Sequence, residues 1–157
     1  MWLRIQLTEF VSIYLAYVVV SFLVCLIIAN TIAAWIFYFL LLAPAYLLCI
    51  AYVISIAVTK RHHTIRFHTL SVLPVLGFQG LMILTSPASC YGWKQGRACY
   101  SLLQSLYVGL FTKQNLQTMT PNVPRWSQID SAFPIILGLY VLALILFLAT
   151  LRFESNH

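Results

Sequence analysis

The sequence predicts an all-α, polytopic membrane protein in one domain: four transmembrane helices, a disulfide-bearing extracytoplasmic loop and a short interfacial helix. Three observations carry this. First, 62% of the 157 residues are hydrophobic and 8% are charged, with a mean hydropathy of +0.92. A soluble domain is about 45–50% apolar and about 25% charged, so this chain has too few polar residues to cover a water-facing surface. Second, apolar stretches of spanning length recur along the chain. Third, the net charge of +6 comes from nine Lys and Arg against three acids. Those basic residues sit between and beside the apolar runs, as positive-inside retention and anionic headgroups would place them. No basic stripe with interleaved aromatics suggests nucleic-acid binding.

A helix crossing the hydrocarbon needs about 20 apolar residues. The first span is expected over residues 10–29. It is too long for a signal h-region of about 7–15 residues, so it is expected to stay uncleaved. The second is expected over 32–58, separated from the first by a turn at the polar pair Asn30–Thr31 and relieved by a kink at Pro44. The third covers 69–87 and the fourth 132–151.

Between the second and third spans lies a cationic connector with Lys60, Arg61 and Arg66, expected to contact anionic lipid. Arg4 and Arg152 fall on the same side if there are four spans. This places both termini and the connector in the cytoplasm, with a bacterial inner (cell) membrane as the expected location. The loop 88–131 is then outside, although it carries Lys94, Arg97, Lys113 and Arg125.

Within that loop, Cys90 and Cys99 flank a segment with two glycines, Gly92 and Gly96, and a disulfide between them suits an oxidising compartment. Cys25 and Cys49 fall inside spans, as small buried hydrophobes. Farther on, Leu102, Leu103, Leu106, Tyr107, Leu110 and Phe111 recur at helical spacing, with Ser101, Gln104 and Ser105 on the other side. They predict a short amphipathic helix, lying on lipid or docked on other helices. Trp35, Tyr38, Trp93 and Trp126 are expected in an outer aromatic belt, with Trp2 as the inner anchor.

Candidate chemistry is sparse. The acids Glu9, Asp130 and Glu154 all lie at span edges or beyond, which disfavours proton coupling or a metal inside the bundle. His62, His63 and His68 cluster, but among cations and without an acid or thiol. No catalytic residue, metal or cofactor is expected. The polar and small residues of the spans, Pro44, Pro74, Gly77, Gln79 and Gly80, suit helix packing or a polar cavity. Four spans with a disulfide-bearing outer loop resemble tetraspan scaffolds in outline, but the paired cysteine motifs of tetraspanins and claudins are absent.

The functional expectation is a non-enzymatic component that binds, assembles or regulates other membrane proteins, or itself as a homo-oligomer. A small homo-oligomeric transporter or channel, with Gln79, Ser55 and Asn30 lining it, is the alternative. A thiol-redox enzyme using Cys90 and Cys99 comes third.

Overall fold

The computed structural model describes residues 2–29, 31–60, 63–90, 99–111 and 127–155. Most of the described chain is helical. A strand β1 (Trp2–Gln6) leads into α1 (Leu7–Ile28). The returning pass comprises α2 (Ile32–Phe37), a π-helical turn (Tyr38–Leu42) and α3 (Ala43–Thr59). Strand β2 (His63–His68) and a 3-10 turn (Thr69–Ser71) lead to α4 (Val72–Thr85). A hairpin of β3 (Pro87–Cys90) and β4 (Cys99–Ser101) is followed by α5 (Leu102–Phe111), α6 (Ser127–Ala149) and β5 (Arg152–Ser155).

Among the described residues, three helical segments are long and apolar enough to cross a membrane: Leu7–Ile28, Ala34–Thr59 and Ala132–Ala149. The expected third span is shorter, a helical segment over Thr69–Thr85. Its near end tightens and its far end loses two residues. Thr69–Ser71 tighten into the 3-10 turn, and Ser86 leaves the helix ahead of Pro87, which has no N–H to continue it.

The turn expected at Asn30–Thr31 does break the first apolar run from the second. The Thr31 side chain accepts a hydrogen bond from the Ala34 amide (3.3 Å), capping α2. Its hydroxyl also donates to the Pro87 carbonyl (2.7 Å). Asn30 itself lies outside the described residues.

Pro44 acts through a π-turn. Its ring cannot donate to the carbonyl four residues back and would clash with it. The preceding turn widens, and the Ala43 amide bonds the Tyr38 carbonyl, five residues back. Pro74 falls in the first turn of α4, where an amide has no helical partner anyway. It therefore starts that helix instead of bending it.

The cationic connector is not a loop. It forms the central strand of an antiparallel sheet ordered β1–β2–β5. Alternation produces it: Leu3 and Ile5 face the same way as Ile65, Phe67 and Phe153, while Trp2, Arg4, Arg66, Arg152 and Glu154 face the other way. Ile65 and Phe67 are buried, and the Phe67 ring meets Phe10 and Phe147 at the ends of α1 and α6. The sheet thus caps one end of the bundle, joining the start of α1, the end of α3, the start of α4 and the end of α6. The β3–β4 hairpin lies at the other end.

Candidate functional site

Burial repeats every three or four residues along each helix. Phe10, Tyr14, Val18, Ser21 and Cys25 face inward on α1, and Phe133, Leu137, Tyr140, Leu144 and Leu148 on α6. Outward positions are also apolar, among them Ile27, Leu40, Leu48, Val58 and Ile135. Among the described residues the helices thus turn polar groups inward as well as apolar ones, and the outward face is mostly apolar, as suits a bilayer.

Five of these groups form one constellation. Tyr17 stands midway along the α1 span, Tyr46 midway along the second and Tyr140 midway along the last. Tyr17 donates to Gln79 Oε1 (2.8 Å), and Gln79 Nε2 donates to Ser21 Oγ (2.7 Å). Ser21 and Tyr46 are joined by 2.6 Å, Tyr46 and Tyr140 by 2.7 Å, and Tyr140 and Tyr17 by 2.8 Å. These contacts close a ring drawn from α1, α3, α4 and α6.

Proton counting fixes every direction in it. A hydroxyl has one proton to donate. Tyr17 gives its proton to Gln79, so Tyr140 must donate to Tyr17, Tyr46 to Tyr140, and Ser21 to Tyr46. Each hydroxyl donates once and accepts once. The ring is neutral and each of its hydroxyl protons is held inside it.

The sheet end is built differently. Arg4 stands opposite Arg66, and Arg66 opposite Arg152, in one cross-strand row. Among the described residues Glu154 alone bridges them, to Arg4 (3.2 Å) and to Arg66 (3.1 Å). The Trp2 ring lies against the guanidinium carbons of Arg66 (4.9 Å) and Arg152 (5.7 Å), and Lys60 sits over Phe153 (4.4 Å).

No protein-family model, curated protein or solved structure matches this chain.

Of the residues singled out in the sequence, Gln79 is the one the structure puts at the centre. Its partners Tyr17, Ser21, Tyr46 and Tyr140 were not named, although a mid-span hydroxyl in hydrocarbon must find a partner. Gly77 and Gly80 are exposed, and a Cβ at either would meet no atom within 4 Å. Within the chain they mediate no close helix contact. Ser55 is exposed on the outer face of α3. Arg61, Trp93 and Trp126 lie outside the described residues.

Tyr38 does not join an aromatic belt. It is fully buried, and its hydroxyl donates to Ser86 Oγ (2.9 Å). Trp35 remains half exposed near the hairpin end, its indole N–H donating to the Ala29 carbonyl.

The short helix forms, with its polar side turned inward. Gln104 is buried, while Leu103, Leu106 and Tyr107 face outward. A capping box causes this: Gln104 Oε1 accepts from the Ser101 amide (2.8 Å), and Ser101 Oγ accepts from the Gln104 amide (3.2 Å).

No cysteine pair stands at disulfide distance among the described residues. The backbone register nevertheless sets Cys90 directly against Cys99, and Cys25 and Cys49 are free and buried. His63 and His68 are five residues apart on one strand, so they face opposite sides and cannot share an ion. Among the described residues no group of three or more His, Cys, Asp or Glu side chains could hold a metal.

Proposed function

We propose that this chain is a four-pass integral protein of a cell membrane that binds, assembles or regulates other membrane proteins without catalysing a reaction. Both chain ends and the three-stranded sheet lie on the cytoplasmic side, and the β3–β4 hairpin lies outside. Four passes are supported by the sheet, which gathers the sheet-side ends of α1, α3, α4 and α6. The segment Thr69–Thr85 reaches about 25 Å at about 1.5 Å per residue. Local thinning of the bilayer accommodates that length.

One observation carries the functional reading. The polar constellation at the middle of the bundle closes a ring of hydrogen bonds across four helices, so its groups are engaged in holding those helices together. The working surface is then on the outside of the molecule. The hairpin end supplies one, where Leu103, Leu106 and Tyr107 project outward beside the strands. A Cys90–Cys99 disulfide would fix its shape, because directly paired antiparallel residues have Cα atoms about 4.5–5.5 Å apart, within the disulfide range.

The test is purification of the tagged protein from its native membrane in mild detergent, with mass spectrometry of the bound proteins. Stoichiometric recovery of other membrane proteins is expected, weakened by Cys90→Ser/Cys99→Ser. A clean homo-oligomer that carries solute flux in liposomes would overturn the reading in favour of transport. Peptide mapping without reductant should recover the 90 and 99 peptides joined.

A further inference from the structure

We propose that the row Arg4–Arg66–Arg152 is a binding site for a phosphate oxyanion, supplied by the headgroup of an acidic membrane lipid. The site depends on the sheet lying at the membrane surface and not on any protein partner.

The geometry begins with the register. Neighbouring strands are about 4.8 Å apart, so two successive cross-strand pairs set three guanidinium groups along a row about 10 Å wide. Like charges directly opposite one another are unfavourable. Among the described residues only Glu154 is placed to offset the three cations. Its two oxygens are already divided between Arg4 and Arg66. Among the described residues no carboxylate stands within ion-pair distance of Arg152. The row therefore keeps about two uncompensated positive charges on one face.

That face is held in place. Trp2 lies against both Arg66 and Arg152, and its edge meets the His68 ring at 5.2 Å. Two of the three guanidinium groups are thus ordered by an aromatic plane before any ligand arrives, which lowers the entropy lost on binding. The opposite face of the sheet is seated on the bundle through Ile65 and Phe67. The arginines consequently stand on the face turned away from the helices, at one end of the bundle. Arg4 lies three residues before α1 and Arg152 three residues after α6, which in a bilayer sets the row near the headgroups.

Guanidinium is also the suited group. Its planar fork matches two phosphate oxygens at once, and it stays charged at any physiological pH. Lysine would attract the same anion only as a point charge. The three arginines come from segments far apart in the chain, and folding alone assembles them.

The test uses the full-length protein in detergent with equal amounts of phosphatidylglycerol and phosphatidylcholine, counting lipid adducts by native mass spectrometry. A preference for phosphatidylglycerol is expected, falling about tenfold in Arg152→Gln. Arg152 is exposed and makes no described ion pair, so that variant keeps the sheet. The variant Arg4→Lys/Arg66→Lys/Arg152→Lys, which retains the charge, should lose most of the preference too. Equal retention of the two lipids, or a preference that survives all three lysines, would overturn the site. Repeating the measurement with inorganic phosphate separates the two sources of the oxyanion. Adducts that persist support a lipid-specific site, and adducts displaced by phosphate support a site also open to soluble phosphate.

Discussion

At the middle of the bundle five polar side chains carry no charge and keep every hydroxyl proton within their ring. At the sheet end three arginines face outward with one carboxylate among them. Both groups are drawn from distant parts of the chain, so assembly alone does not distinguish them. Depth does. In hydrocarbon an unsatisfied polar group costs several kcal/mol, so groups kept there must complete one another. At the membrane surface, water and headgroups complete whatever the protein leaves open. Closure therefore marks the structural end of the polar scale, and incompleteness marks the functional end.

Removing one member of the ring should have the largest effect. Tyr140→Phe deletes the links to Tyr17 and Tyr46 together and should cost about 1–3 kcal/mol in reversible unfolding from detergent. Tyr46→Phe added to it should cost less than the sum, because the ring is already open. Full additivity would mean that the contacts act separately. The reciprocal pair Ser101–Gln104 is a smaller closed unit, and Ser101→Ala should cost about 1 kcal/mol. Hydrogen exchange should show the loss confined to α5. The smallest effect should come from Glu154→Gln. Its ion pairs are partly exposed and screened, so the change should stay below about 1 kcal/mol. It should also shrink further in high salt. A cost that exceeded that of Tyr140→Phe would reverse the comparison.

Much of the architecture is legible in the sequence, and what escapes it does so for physical reasons. Length and hydropathy locate the apolar runs, and the polar pair before Ile32 marks the turn. The sheet is missed because its strands are short and separated by whole helices. Only the alternation Leu3-Arg4-Ile5 and Ile65-Arg66-Phe67 betrays it, and a charge-rich segment reads first as a connector. Gln79 stands out as an amide in an apolar helix, whereas Tyr17, Tyr46 and Tyr140 pass as ordinary aromatics until their hydroxyls are asked for partners. The facing of α5 escapes because spacing alone does not say which side is inward. The Ser101-x-x-Gln104 pattern does, since a capping box draws its glutamine back toward the backbone.

The three-stranded sheet also sets an order of events. Strand β1 precedes every helix, β2 divides the bundle in half, and β5 follows α6. The first pair can form once two passes are made, but it then holds Arg4 against Arg66 with no carboxylate between them. Glu154 arrives only after the final pass. A chain halted before its final pass therefore lacks the bridge between Arg4 and Arg66, and the last strand brings that bridge together with a third arginine.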